Sequence, residues 1–346
     1  MPPMSKSAII GFGMYLPYER IRTTDIAEYW KQDARAMQSG LGVREKTVPG
    51  AGEDSFTMAY EAAKQAIDDA DIKASQISAV FVGSESHPYA VKPTSGMVAD
   101  ALNTDPFCHC ADLEFACKAG TAGMQIVDSM VRAKQIRYGL AIGSDTAQAA
   151  PGDALEYTAA AGAAAVVIGS ERAKNALCRI DFTLSFTTDT PDFWRGARDA
   201  YPSHAGRFTG EPAYFLHMRE ATKGILQMAD CNTKDIDHVV LHMPNAKFPS
   251  RVAKEFGFTS EQMEHGFIVP HIGNTYSACS PLGLMHVLQK AKEGQTILLV
   301  SYGSGAGSDA FLMTMLRDGA PLPTDTRETQ YISYGEYSKR GHPVAA

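Results

Sequence analysis

The chain repeats itself. Set against itself with a shift of 159, residues 59–85 fall on residues 218–244. Glu61 meets Glu220, Ala62 meets Ala221, Lys64 meets Lys223, Ala70 meets Ala229, Asp71 meets Asp230, Ile77 meets Ile236 and Val80 meets Val239. Each copy reads as an amphipathic helix, a short polar turn and a buried strand. A shift of 158 gives a second match. The helix from Lys118 to Lys134 and the strand Tyr138–Ser144 fall on the helix from Ser280 to Lys292 and the strand Thr296–Ser301. Two matches in the same order at nearly the same shift argue for a duplication, with halves at about 1–170 and 171–346. Helix and strand alternate in each half, which favours a layered α/β architecture with strands buried between helices. No Pro/Ser-rich linker separates the halves, so one shared core is expected.

Such a core is within reach. The chain has 346 residues, 45% of them hydrophobic and 21% charged, which excludes a largely disordered chain and removes the need for disulfide staples. Lys and Arg number 32 against 39 Asp and Glu, a net charge of −7. That balance argues against a nucleic-acid partner, while a local basic patch for a phosphorylated ligand remains compatible with it. The longest apolar run, Ala159 to Gly169, is too short to span a bilayer. Lys6 and the short stretch Ala8–Gly11 do not make a signal peptide. A cytoplasmic protein with no membrane partner is the expectation. The six cysteines are scattered, and Cys108-His109-Cys110 followed by Cys117 lacks the paired spacing of a zinc site. Strand or core packing is expected for Cys108 and Cys110, and no metal.

The repeat also predicts where a site lies, because ligands of α/β sheets gather beyond the carboxyl ends of strands. The strand at 77–83 runs into Ser84-Glu85, and its counterpart at 236–242 ends in His242-Met243-Pro244-Asn245. Cys117 precedes one matched helix and aligns with Thr275, next to Asn274. A carboxylate, an imidazole, a thiol and an amide therefore occupy equivalent corners. Cys117 stands in EFACKAGTAG (114–123), where small residues let a ligand approach and the positive end of the following helix favours a thiolate. Such a thiol suits acyl transfer from a thioester. Glu85, buried after an apolar strand, suits proton transfer, with His87 a rival in the same loop. His242 suits hydrogen bonding to a carbonyl. The structural alternatives are a packing cysteine, a solvated loop acid and a satisfied core histidine; for the cysteine, the helix start and the matched corner weigh against packing alone. The run Gly303-Ser304-Gly305-Ala306-Gly307-Ser308 follows a strand and is neither a P-loop nor a dinucleotide fingerprint, yet its amides suit an oxyanion. Lys247, Arg251 and Lys92 are candidate phosphate contacts. The irregular stretch Thr187–Tyr214 suits a lid or a partner-docking surface.

These stretches resemble the archaeal-type 3-hydroxy-3-methylglutaryl-CoA synthases of the thiolase superfamily. The resemblance runs from Ile9 to about Gly341 and is carried by GLGVREKTVP (40–49), GSESHPYAVKPTS (83–95), EFACKAGTAG (114–123), GRFTGEPAYF (206–215), PNAKFPSRVAKEFGF (244–258), GNTYSACSPLGL (273–284) and SYGSGAGSDAF (301–311). It implies a thiolase-like five-layered αβαβα fold built from two duplicated halves, and a homodimer. It further implies that Cys117 is acetylated by acetyl-CoA, that Glu85 takes a proton from the acetyl methyl group, and that His242 polarises the ketone of acetoacetyl-CoA. Asn274 would support the acyl group. The amides of Cys117 and Ser304, with Gly303 beside them, would form the oxyanion hole. Lys247, with Arg251, would contact CoA. The implied product is 3-hydroxy-3-methylglutaryl-CoA, on the route to mevalonate, with no metal or redox cofactor. An acetoacetyl-CoA thiolase and a small zinc-ribbon/OB-fold protein are implied as complex partners. Two alternatives stay open: a condensing or retro-cleaving enzyme acting on another β-ketoacyl-CoA, and a non-catalytic scaffold subunit of a thiolase complex.

Overall fold

The computed structural model describes residues 6–146, 149–206, 209–305, 307–323 and 326–339. Nine strands form one sheet: β1 (Ser7–Tyr15), β2 (Ile77–Gly83), β3 (His109–Leu113), β4 (Tyr138–Asp145), β5 (Gly162–Ser170), β6 (Cys178–Thr187), β7 (His238–Leu241), β8 (Thr296–Val300) and β9 (Gly307–Met315). Their order is β7-β8-β9-β6-β1-β5-β4-β2-β3. The seam is β1 against β6, antiparallel and only three residues long, Ser7–Ile9 on Cys178–Ile180. On either side of it the first strand stands at the seam, the last strand next to it, then the penultimate, then the second.

Strand side chains point alternately to opposite faces, and the sequence uses both. Along β2, Ala79 and Phe81 join a central apolar cluster, while Val80 and Val82 join an outer one. Along β8, Ile297 and Leu299 join the central cluster, while Leu298 and Val300 join a different outer one. Strands buried on both faces need continuous apolar runs, which is why these strands lack the polar alternation of a half-exposed sheet.

Helices complete the layers. The first outer layer is α1 (Ser55–Asp69) with α2 (Thr94–Ala101). The central layer is α3 (Ala119–Arg132) with α6 (Cys279–Leu288), and the far layer is α4 (Phe215–Ala229) with α5 (Lys247–Phe256). α1 starts at a capping box between Asp54 and Thr57 and lays Ala59, Ala62, Ala63 and Ala66 on the sheet. α6 is apolar all round, as a helix buried between sheets must be, with Leu282, Leu284, Met285, Val287 and Leu288 all buried. Full burial of each such side chain contributes about 1.5–3 kcal/mol. With the strands on either side of the β1–β6 seam counted as two sheets, the order is helix, sheet, helix, sheet, helix, the five layers expected.

The central layer comes very close to the strand ends. A Cβ on Gly120, in the first turn of α3, would stand 2.6 Å from the Ser277 carbonyl and 3.0 Å from the Gly143 Cα. Only glycine lets β4, α3 and the 276–278 turn meet there. Gly120→Ala should overpack this junction and cost about 2 kcal/mol. Thermal unfolding checks it: a melting midpoint equal to that of the parent would contradict the packing.

Candidate active site

Cys117 owes its position to a sharp turn. After β3 the chain passes Phe115, and Ala116 takes a left-handed conformation with φ of 44°. Lys118 N–H then donates to the Phe115 carbonyl at 3.2 Å and Ala119 N–H to the Ala116 carbonyl at 3.1 Å, and α3 begins. A left-handed alanine is strained by about 1–2 kcal/mol, so the surroundings must enforce it. The turn aims the buried thiol at Glu85, and Cys117 Sγ donates to Glu85 Oε1 at 3.1 Å.

The helix start was expected to favour a thiolate. The structure reverses that expectation: burial pushes the Cys117 thiol well above its ordinary value, and the neighbouring Glu85 adds to the rise. A helix N-terminus supplies up to about 2 kcal/mol. Complete burial of an ionisable group works against charge by up to about 4–7 kcal/mol, so burial wins.

Glu85 is held by a residue that sequence reasoning missed. Asp145, buried at the end of β4, accepts from Ser84 Oγ at 2.9 Å, Glu85 N–H at 2.7 Å and Ser86 Oγ at 2.6 Å. Its other oxygen accepts Ser277 N–H at 2.9 Å. Burial, and then the Asp145 carboxylate, push Glu85 up to about 8, while the Cys117 thiol and Arg195 pull it back in part. The signal was present: a lone acid ends an apolar strand. His87, the rival, has its Nδ1 at 2.8 Å from Thr94 Oγ1 and 3.5 Å from Asp112.

His242 leaves β7 with its N–H on the Val300 carbonyl at 2.9 Å, and its carbonyl takes the Tyr214 hydroxyl at 2.7 Å. Burial pushes its imidazole down to about 3, so it is neutral near pH 7. Its buried Nδ1 has no hydrogen-bond partner among the described residues. Its ring lies 6.2 Å from that of Tyr302, whose hydroxyl has the Ser304 side chain as a hydrogen-bonding neighbour. Asn274 pairs with residues 158–160: its N–H donates to the Thr158 carbonyl at 2.7 Å, and its carbonyl accepts Ala160 N–H at 2.9 Å. Its Oδ1 accepts Tyr276 N–H at 3.1 Å, which leaves Nδ2 as the donating end. Tyr276 packs in one cluster with Cys117, Ala149 and Ala159. Gly303 completes the ring of segments, because a Cβ there would meet the Phe115 carbonyl and the Lys118 stem.

Within the stretch 187–214, of which residues 207 and 208 lie outside the described residues, a short hairpin pairs Phe193–Trp194 with Ser203–His204 beside these groups. Phe193 packs against the Cys117 cluster, and Arg195 donates to the Glu85 carbonyl at 3.0 Å. Asp192 holds the hairpin to the glycine-rich turn by accepting the Tyr302 hydroxyl at 2.8 Å and Gly305 N–H at 2.7 Å. Ala306, in that glycine-rich run, lies outside the described residues. Lys247 and Arg251 sit exposed on α5, and Asn245 Oδ1 caps the start of this helix. Arg251 stacks on Phe215 at 4.1 Å and meets Glu255 at 3.2 Å. Cys108 and Cys110 are free thiols packed against the first outer cluster. Among the described residues no group of three or more His, Cys, Asp or Glu side chains is placed to hold a metal ion, and no helix is long and apolar enough to cross a membrane.

The raised Glu85 has a consequence for stability. Unfolded, this group ionises near 4.5; folded, near 8. Between those values the folded chain holds the extra proton, so the group's stabilising contribution is complete below 4.5 and is lost as pH rises through 8. Glu85→Gln should therefore gain on the parent in melting temperature from pH 5 to pH 8. Parallel curves would show that Glu85 ionises normally.

Comparison with known proteins gives the family. The model "3-Oxoacyl-[acyl-carrier-protein (ACP)] synthase III C terminal" matches residues 226–315. Among solved structures, an MvaS in complex with 3-hydroxy-3-methylglutaryl coenzyme A superposes with a TM-score of 0.87 at 22% identity, covering 99% of this chain and 93% of that one. A 3-oxoacyl-(acyl carrier protein) synthase III, FabH, from Pseudomonas aeruginosa superposes with a TM-score of 0.80 at 22% identity, covering 92% of this chain and all of that one. At such identities these likenesses show the thiolase-like fold. Sequence relatives reach further. A hydroxymethylglutaryl-CoA synthase of Archaeoglobus fulgidus is 52% identical over 344 residues, 98% of this chain and 99% of that one. One from Methanococcus vannielii is 53% identical over 343 residues, 97% of this chain and 98% of that one. On that identity over nearly its whole length, the chain belongs to the hydroxymethylglutaryl-CoA synthase family.

Proposed function

We propose that this protein condenses acetyl-CoA with acetoacetyl-CoA to give 3-hydroxy-3-methylglutaryl-CoA and CoA, through an acetyl group carried on Cys117. The observation that carries the reading is the 3.1 Å contact between the buried Cys117 thiol and Glu85. Cys117 Sγ attacks the acetyl-CoA carbonyl, and its proton leaves with CoA by way of Glu85. Glu85, again a carboxylate, then takes a proton from the acetyl methyl group. A base with a raised affinity for protons suits this step better than an ordinary surface carboxylate. The amides of Cys117 and Ser304 hold the enolate oxygen. The enolate carbon attacks the acceptor ketone, and the neutral His242 imidazole donates a hydrogen bond to the developing alkoxide, which Glu85 reprotonates. Asn274 Nδ2 is a second donor for bound acyl groups. Water then hydrolyses the thioester and returns the Cys117 thiol. Lys247 and Arg251 are the assigned contacts for CoA phosphates, with Arg251 released from Glu255 when they bind.

The two halves proposed for the chain, 1–170 and 171–346, divide this work: Cys117 and Glu85 belong to the first, His242, Asn274 and Ser304 to the second. A second copy of the chain is the proposed partner, supported by the open edge of β3, the last strand of the sheet, and by Phe107, 97% exposed just before it. An unpaired edge is a template for another strand.

With acetyl-CoA alone, mass spectrometry of the parent protein should find an acetyl group on Cys117 that acetoacetyl-CoA discharges as 3-hydroxy-3-methylglutaryl-CoA. His242→Ala should still be acetylated yet lose the condensation by about 100-fold or more. Product from a Cys117→Ser protein would refute the acyl-cysteine route. By light scattering the parent should show twice its chain mass of 37.3 kDa, and Phe107→Glu should shift it toward the single chain; a dimer untouched by that change would place the interface elsewhere.

A further inference from the structure

The residue after Cys117 is a lysine whose ammonium is paired with a carboxylate of the other half. Lys118 is buried, and its Nζ lies 2.9 Å from Asp309 Oδ1 and 3.0 Å from Oδ2, on β9 in the other half of the chain. Asp309 is buried as well. Thr121 Oγ1, in the first turn of α3, lies 2.9 Å from Asp309 Oδ2 and 2.7 Å from Ser301 Oγ, and Asp309 N–H donates to Ser301 Oγ at 3.3 Å. Ser185 Oγ donates to Asp309 Oδ1 at 2.7 Å. The Lys118 ammonium also stands 4.0 Å from the centre of the Phe115 ring. Above its stem sits Gly303, where a Cβ would come 2.9 Å from Lys118 Cγ and 3.2 Å from Lys118 N.

Stability alone does not account for a charged pair at this place. A buried ion pair costs desolvation that its attraction only roughly offsets, and apolar side chains of the same volume do as well or better. Its geometry does something they do not. The pair ties the turn that carries Cys117 to the strand ends that carry Gly303 and Ser304. Those two turns lie far apart in the sequence and on opposite halves, so no local chain geometry sets their spacing. Misplacing a reacting group by about 1 Å costs about 100-fold in rate.

We propose that Lys118 and Asp309, with Thr121 and Ser301, are positioning residues that fix the Ser304 amide against the Cys117 amide and so set the oxyanion hole. The inference rests on the acyl-cysteine reading above. Its test uses two reactions of the same thiol. Acetyl transfer from acetyl-CoA needs the oxyanion hole; alkylation by iodoacetamide needs only the thiol. Asp309→Asn keeps the side chain's volume and removes its charge. In the folded variant, acetylation of Cys117 should slow by about 100-fold, the scale of losing one oxyanion donor, while alkylation at the same pH stays within a few-fold of the parent. Should Asp309→Asn fail to fold, Thr121→Val removes one hydroxyl of the network at nearly constant volume and should show a smaller loss with the same selectivity. Acetylation at the parent rate, or both reactions falling together, would overturn the proposal. A parent protein that acetyl-CoA does not acetylate would instead overturn the acyl-cysteine reading beneath it.

Discussion

The Asp145 carboxylate is the joint on which the site depends. It is buried, and an isolated buried carboxylate is prohibitive. Four donors offset that cost, three from the loop after β2 and one from the Ser277 turn. Hydrogen bonds to a charged group contribute about 1.5–3 kcal/mol each, and those from Ser277, Ser86 and Glu85 draw the Asp145 proton affinity down, although burial is the larger effect and leaves it raised. One group therefore fastens Glu85 on the first half to the Asn274–Ser277 corner on the second. The glycine junction beneath it, Gly120 against Gly143 and Ser277, gives these segments the room to meet. The same carboxylate raises the proton affinity of Glu85, so the fastening also tunes the base.

Dryness governs the remaining electrostatics. Cys117 is held as a thiol and His242 as a neutral imidazole, both chiefly by burial. Glu85 hovers near neutrality in the physiological range. A resting site with little net charge is suited to a reaction that creates an enolate and then an alkoxide, because fixed dipoles act strongly where water is excluded. The hairpin carrying Phe193 and Arg195 covers the thiol and helps exclude water. His242 keeps a buried Nδ1 without a partner among the described residues, and such a group calls for an explanation.

Much of this was legible in the sequence, for identifiable reasons. The alternation of strand and helix, and the match of Glu61–Val80 to Glu220–Val239, are local patterns that survive without a structure. Cys117, Glu85 and His242 stand at strand or helix ends where chain-adjacent signals point to them. That Glu85 meets the Cys117 thiol while His87 pairs with Thr94 and Asp112 was not legible, because those partners are set by folding. Asp145, Arg195 and the Lys118–Asp309 pair escaped for the same reason: their partners lie 60, 110 and 191 residues away, and no periodicity records so distant a contact. The thiolate expected at Cys117 failed because a helix dipole is visible in a sequence while the extent of burial is not.

The central claim is that Glu85 alone moves the methyl proton while His242 serves the acceptor. Nuclear magnetic resonance of acetyl-CoA incubated with the enzyme in heavy water, without acetoacetyl-CoA, tests it directly. The account predicts deuterium entering the acetyl methyl group with the parent and with His242→Ala, and none with Glu85→Ala. Exchange that survives the loss of Glu85, or that disappears with His242, would contradict it.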